Sequence, residues 1–187
     1  YFSELMKSDK SITADITPSY SGLKADRLRF IKDKFFAKGI EVKVVILVRE
    51  PLSRIKSAVR FNLDRKNYNE GIKPLEIDFY SALEQYYTNE HCYIRTAYQN
   101  IIKEAYKVFD YNNVYIGFYE NMFEKSEILK LSEFLSVDTK HEYSKVIVNK
   151  TKSKVTDTDL DNKIKDYYSD TYDFFYDQFP ITKNLWF

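Results

Sequence analysis

The stretch KVVILVREPLSRIKSAVRF, Lys43 to Phe61, restricts the fold more than any other part of the chain. Val42 to Val48 is nearly continuous Val, Ile and Leu, interrupted only by Lys43. That is the composition of a parallel strand covered on both faces, since neither face is left polar. Pro51 then suits the first position of a helix, where its missing N–H costs nothing, and Pro51 to about Lys66 continues with helical periodicity. Strand, tight turn and helix therefore fix Arg49 at the carboxyl edge of a sheet.

The flanking segments repeat this alternation. Before it, Ser11 to Ile16 reads as an extended strand tip ended by the turn TPSY, because Pro18 disfavours helix at Thr17. From Gly22 to Lys38 the apolar positions Leu28, Ile31 and Phe35 recur at steps of three and four, with Gly39 at the expected C-cap. Helices are expected at about Leu75 to Tyr87, Cys92 to Phe109, Phe123 to Leu135 and Asp159 to Phe179, and a second apolar strand at Val114 to Tyr119. His141 to Asp157 is polar and aperiodic and reads as a loop. Strands alternating with helices imply an α/β layered fold with a mainly parallel sheet, in one domain over residues 1–187.

Bulk composition bounds the partners. A chain of 187 residues with 44% hydrophobic and 30% charged residues can bury a core without disulfides, and the single Cys92 could form none within the chain. No apolar run approaches the roughly 20 residues of a membrane span, so no span is expected. With 29 Lys and Arg against 28 Asp and Glu, nothing in the overall charge favours nucleic acid or anionic lipid, and any anion site must be local. The 17 Tyr and 14 Phe fall mostly at helical or strand spacing, which fits core packing better than base stacking. The lone cysteine points to a cytoplasmic location, with a Golgi lumenal domain as the alternative; Asn149-Lys150-Thr151 fits a glycosylation sequon by pattern alone. No metal site is expected, since His91-Cys92 stands without further ligands at suitable spacing.

The chemistry concentrates at the first junction. In an open parallel sheet, ligands sit beyond the carboxyl ends of the strands, where helix N-termini also present unpaired N–H groups. The Arg49 guanidinium offers a planar fork of donors that matches phosphate or sulfate, and Ser57 adds a hydroxyl. Arg54, Ser57, Ala58 and Phe61 share one helical stripe, which turns Ser57 toward the strand ends. By residue chemistry alone, Arg49 fits a structural carboxylate partner as well as a ligand anchor, and Ser57 fits a small packing residue.

VILVREPLSRIKSAVRF resembles the 3′-phosphate-binding segment of sulfotransferases that use 3′-phosphoadenosine 5′-phosphosulfate (PAPS): an apolar strand, Arg-Asp-Pro, a further Arg, and a Ser eight residues after the first Arg. Arg49, Pro51, Arg54 and Ser57 match, while Glu50 replaces the usual aspartate and Val59 stands where an aromatic residue is common. DITPSY is similar to the Glu-Lys-(Thr/Ser)-Pro-x-Tyr element of carbohydrate-type members, with Asp15, Thr17, Pro18 and Tyr20 in register and Ile16 in place of the lysine. RTAY at Arg95 to Tyr98, FYENMFEKSEILKLSEFLSV at Phe118 to Val137 and VNKTKSK at Val148 to Lys154 extend the resemblance in the family's order.

The resemblance implies a three-layer, P-loop NTPase-like α/β fold, a mainly parallel central sheet flanked by helices, that transfers a sulfuryl group from PAPS to an acceptor hydroxyl. Arg49 and Ser57 would bind the 3′-phosphate, and Lys150 or Lys152 would close over the nucleotide. Arg95 and Tyr98 share a helix face and, with Tyr20, are expected to touch the acceptor, which the carbohydrate-like motifs make a sugar hydroxyl. The glycine-rich loop that cradles the 5′-phosphosulfate in this family has no counterpart among Gly22, Gly39, Gly71 and Gly117. The family's general-base glutamate precedes an aromatic pair like Tyr1-Phe2. Both are therefore expected upstream of Tyr1, and the chain to be N-terminally incomplete; the histidines His91 and His141 lie in no motif. Two other readings fit the same residues: a P-loop-type nucleotide or nucleoside kinase, which would need ATP and Mg²⁺, and a binding or scaffold module that keeps the fold without the chemistry.

Overall fold

The computed structural model describes residues 12–66, 70–72, 77–140, 142 and 158–186. A 3-10 turn, Pro18–Gly22, precedes helix α1 (Ala25–Phe36). Strand β1 (Val44–Val48) runs directly into α2 (Pro51–Asp64), followed by α3 (Phe79–Tyr86), α4 (Glu90–Thr96) and α5 (Tyr98–Tyr106). Strand β2 (Val114–Phe118) leads to α6 (Lys125–Leu135), and α7 (Thr158–Tyr167), α8 (Ser169–Gln178) and the short α9 (Thr182–Leu185) complete the described chain.

The two strands pair in parallel, Val44 opposite Val114 through Val48 opposite Phe118, so the polypeptide crosses over between them, through four helices among the described residues. Residues 12–16 form no strand. The two apolar runs thus behave as read, with one exception. On β1, Ile46 and Val48 are buried, but Val45 and Leu47 on the opposite face are 38% and 50% exposed. Among the described residues the strand is covered on one face, since alternate residues of a strand point to opposite sides and of these four only Ile46 and Val48 join the core.

Helix boundaries follow local chemistry. Pro51 occupies the first turn of α2, and Glu50 caps it, its carboxylate accepting from the N–H groups of Leu52 (3.1 Å) and Ser53 (2.6 Å). The helix expected from Leu75 starts at Phe79 because Asp78 is its N-cap, accepting from Tyr80 and Ser81. Gly39 takes φ +72°, the left-handed conformation expected beyond a helix C-terminus.

Two expected helices are each divided. The stretch Cys92 to Phe109 breaks at Ala97, whose ψ of 64° takes it out of the helix; the first piece starts earlier, at Glu90, where Asn89 caps it by accepting the Cys92 N–H, and the second starts at Tyr98 without a side-chain cap. Asp159 to Phe179 breaks at Tyr168, where α8 turns so that its Tyr172 and Phe175 reach the core. Neither break carries Gly or Pro, so tertiary packing overrides a continuous helical pattern.

The core gathers Val48, Ile55 and Val59 from the strand and α2, Leu83 and Tyr86 from α3, Ile102 from α5, and Ile164, Tyr168 and Phe175 from the last helices. Phe175 stacks on Phe179 and meets Phe118, Tyr98 and Trp186 edge-on or tilted, an aromatic seam across the end of β2. Two polar ties bind α2 to the C-terminal helices. Lys56 ion-pairs with Asp161 at 2.6 Å with little exposure on either side, and the Tyr172 hydroxyl donates to Glu50.

Candidate functional site

A cavity of about 500 Å³ opens beyond the carboxyl end of β1. Arg49, Arg54, Ser57, Ala58, Phe61 and Asn62 line it from the junction and α2; Pro18, Ser19, Glu70 and Arg95 close it from the other side. The stripe Arg54, Ser57, Ala58, Phe61 read from helical spacing is thus the cavity wall. Its volume lies within the range of small-molecule sites.

Arg49 reaches this place because Val48 is the last buried residue of β1 and the following turn is fixed on three sides. Glu120, just past β2, accepts the N–H of Glu50 at 2.8 Å; Glu50 caps α2; and the Tyr98 hydroxyl hydrogen-bonds the Arg49 backbone. The guanidinium lies 4.6 Å from the centre of the Tyr119 ring, a cation–π contact that holds the side chain without neutralising it. The N-terminal turn of α2, by contrast, is not open to a ligand. Glu50 consumes the Leu52 and Ser53 N–H groups, so the unpaired donors expected there are already satisfied and any anion must be met by side chains.

Arg54 enters the protein from the cavity. Its Nη1 donates to Thr96 Oγ1 at 3.1 Å and lies 3.8 Å from Cys92 Sγ, and it also bonds the Tyr86 hydroxyl. Burial opposes its charge, yet the surrounding Tyr86, Tyr98 and Cys92 groups hold its pKa above the ordinary value. Burial pushes the Cys92 thiol up and Tyr86 up to about 12, so both stay protonated at neutral pH.

Glu70 organises the opposite wall. It pairs with Arg95 and accepts from Asn62 and Tyr86 at 3.1 Å each. Burial alone would raise its pKa, but the bonds from Asn62 and Arg95, the Arg95 charge and the Tyr86 bond more than offset this and hold it below the usual carboxylate value. Asn89 donates to the Glu70 carbonyl at 2.6 Å, and Gly71 takes φ +90° beside it, where a Cβ would come within 2.7 Å of Asn89 Nδ2.

The sequence-predicted residues divide as follows. Arg49, Ser57 and Arg95 meet in the cavity. Tyr98 does not line it: it is buried, packs on Phe175 and holds the Arg49 backbone, and because the chain breaks at Ala97 it shares no helix face with Arg95. Tyr20 is turned to Asp15, which it bonds together with Thr17, while its neighbours Pro18 and Ser19 reach the cavity. Ile16 is 91% exposed. Lys150, Lys152 and His141 lie outside the described residues, and His91 is exposed on α4 away from the cavity. Asn62 and Glu70 were not singled out by sequence; no motif surrounds Glu70, and its role depends on Arg95 approaching from 25 residues away.

Among the described residues no three or more His, Cys, Asp or Glu gather in a way that could hold a metal ion, and no helix is long and apolar enough to cross a membrane.

The strand-to-helix junction of this α/β protein thus presents Arg49, Arg54 and Ser57 to a cavity at the carboxyl edge of β1, the two arginines without a carboxylate in ion-pair distance among the described residues. The family model described as Sulfotransferase domain matches residues 23–173, most of the chain, and the chain belongs to that family, with its P-loop-like α/β fold. No curated protein and no solved structure matches the chain.

Proposed function

We propose that the protein is a PAPS-dependent sulfotransferase in which Arg49 and Ser57 bind the 3′-phosphate of the donor. One observation carries this reading: in a chain of the sulfotransferase family, Arg49 and Ser57 line a single cavity at the carboxyl end of β1. The residues fit the group, because the Arg49 guanidinium has no carboxylate within ion-pair distance among the described residues and a phosphate oxygen pair matches its donor fork. Lys150 and Lys152, beyond the described residues, are proposed to close over the bound nucleotide.

The reaction is an in-line displacement at sulfur. The acceptor hydroxyl oxygen forms the new S–O bond, the bond from sulfur to the 5′-phosphate oxygen breaks, and 3′,5′-diphosphoadenosine leaves. The hydroxyl proton passes to a base. Glu70 is unsuited to that task, since its carboxylate already accepts from Asn62, Tyr86 and Arg95 and its pKa is lowered. Its place is to hold Arg95 at the cavity wall, where Arg95 and Phe61 are proposed to face the acceptor. The DITPSY turn favours a sugar hydroxyl in that role.

Calorimetric titration with 3′,5′-diphosphoadenosine and with 5′-AMP tests the assignment. Tighter binding of the diphosphate is expected, with the preference lost in Arg49→Ala. Equal affinity of the unmodified protein for the two nucleotides refutes it.

A further inference from the structure

We propose that a second groove, between the start of α1 and the outer face of α5, binds an acidic sugar unit through Lys24, Lys103 and the ring of Tyr111, so that the acceptor is a uronate-bearing saccharide chain held at a distance from its reacting hydroxyl. The inference rests on the reading of the first cavity as the transfer site and adds a site that no motif of the sequence marks.

The groove has a volume of about 550 Å³, comparable to the first cavity. Asn100, Lys103 and Lys107 follow one another at steps of three and four along α5 and its cap, so they share a face. Glu104 is the single carboxylate lining the groove among the described residues, and it is already committed, accepting the Ala25 N–H at 2.7 Å and pairing with Lys107 at 2.5 Å. Lys24 and Lys103 have no carboxylate within ion-pair distance among the described residues. Arg29 and Lys32 bring two further positive charges to the end of α5, where they donate to the Lys107 and Val108 carbonyls at 3.1 and 2.7 Å. Five cations thus gather about one committed carboxylate in a chain whose formal net charge is +1, so the local field favours an anion.

The aromatic wall says which kind of anion. Tyr111 is 76% exposed, yet its ring rests on that of Tyr106, centroids 4.4 Å apart and planes at 41°. A braced, exposed ring beside cations offers a flat apolar face with a polar border. A pyranose has the complementary surface, a C–H face rimmed by hydroxyls, and the Asn100 amide and the lysine ammoniums supply hydrogen bonds for that rim and for a carboxylate on it. A lone inorganic anion would leave the ring face and most of the volume unused. An acidic peptide would find no strand edge to pair with, since helices α1 and α5 and the turn bearing Tyr111 supply the described lining.

The groove lies within reach of the first cavity. Arg95 lines the cavity and Asn100 the groove; Ser19 lines the cavity and Lys24 the groove. The members of each pair are five residues apart, so their Cα atoms are separated by at most about 18 Å. A chain of a few linked sugars covers that span, with a hydroxyl in the cavity and an acidic unit against Tyr111.

Calorimetry on the whole protein tests this with tetragalacturonate and a hyaluronan tetrasaccharide as acidic probes, maltotetraose as the uncharged sugar and tetraglutamate as the acid without sugar. The variants are Lys24→Gln/Lys103→Gln, Tyr111→Ala and Tyr111→Phe, each verified as folded by circular dichroism and by unchanged affinity for 3′,5′-diphosphoadenosine. At least one acidic tetrasaccharide is expected to bind about tenfold or more tighter than both controls. The double lysine variant should lose about tenfold of that affinity. Tyr111→Ala should lose about fivefold, and Tyr111→Phe, which keeps the ring, should recover it. Acidic probes that bind no better than maltotetraose, or losses below about twofold in both the lysine and the alanine variants, overturn the site. Tetraglutamate binding as tightly as the saccharides overturns the sugar assignment and leaves a surface that reads charge alone. If the saccharide results fail while 3′,5′-diphosphoadenosine is still preferred to 5′-AMP, only the groove falls. If they hold and the two nucleotides bind equally, the groove stands as a saccharide site and its link to sulfuryl transfer falls.

Discussion

The Glu50 side chain does two things that the aspartate more usual at this place in the family could not do together, and shortening it separates them. In the present structure its carboxylate caps α2 through Leu52 and Ser53 and also receives the Tyr172 hydroxyl from α8. Glu50→Asp withdraws the carboxylate by one carbon, about 1.5 Å, yet aspartate is itself a favoured N-cap, so the cap bonds survive. What is lost is the bond from Tyr172, a buried donor to a charged acceptor, for which about 2 kcal/mol is expected. Tyr172→Phe removes the same bond; Leu52 N–H, which also points at the Tyr172 oxygen at 3.3 Å, keeps Glu50 as its acceptor, so its cost is again about 2 kcal/mol. Since both variants delete one interaction, the double variant should cost about 2 kcal/mol and not about 4, a coupling energy near 2 kcal/mol. Urea unfolding of the four proteins measures this, and each single change should lower Tm by roughly 4 to 8 °C for a chain of this size. Additivity of the two losses to within about 0.5 kcal/mol would refute the shared bond.

Ser136 ends α6 in the left-handed conformation at φ 57°, where its hydroxyl gains only a 3.5 Å contact with Lys43, so Ser136→Gly should raise stability by about 0.5 to 1 kcal/mol in thermal unfolding. Burial raises the pKa of Tyr86, to about 12, and also those of Tyr98, Tyr168 and Tyr172. Such groups keep their protons in the folded chain after the unfolded chain begins to lose them near pH 10, so the stability they carry is complete below that pH and falls as pH rises above it. Unfolding should therefore become progressively easier above about pH 10, with tyrosinate absorbance near 295 nm from these four appearing together with unfolding and not before it.

How far the sequence could be read depended on the distance over which each feature is determined. The junction was legible because its determinants are local. The apolar run, Pro51 and the three- and four-residue steps from Arg54 to Phe61 specify strand, helix start and facing side within a single stretch, and the cavity wall follows that stripe. The helix breaks at Ala97 and Tyr168 were not legible, since neither carries a breaking residue and each is imposed by packing of the helix that follows. Exposure of Val45 and Leu47 was hidden for a related reason: composition reports that a strand can be covered on both faces, while coverage itself depends on other elements. Within the site, Tyr98 was singled out for the wrong side of the wall. A shared helix face with Arg95 reads as a common acceptor contact, and only the break at Ala97 and the buried hydroxyl bonded to the Arg49 backbone reveal a positioning role. Glu70 escaped notice because its meaning lies in partners, Asn62, Tyr86 and Arg95, brought together by tertiary structure.

The ties from α2 to the C-terminal helices have a consequence in time. Glu50 and Tyr172 are 122 residues apart, and Lys56 and Asp161 are 105. At a synthesis rate of about 5 to 20 residues per second, the ribosome delivers Tyr172 roughly 6 to 24 s after Glu50, so the helix that bears Arg54 and Ser57 waits that long for its locks. During the interval the Glu50 carboxylate has only its own helix to bind, and the Lys56 ammonium must stay hydrated. A nascent chain arrested before α7 therefore already has Thr96, Tyr98 and Glu120, which tie Arg54 and the junction at Arg49, but lacks Tyr172 and Asp161, the partners of the Glu50 and Lys56 side chains, so the cavity wall formed by α2 takes its final setting late in translation.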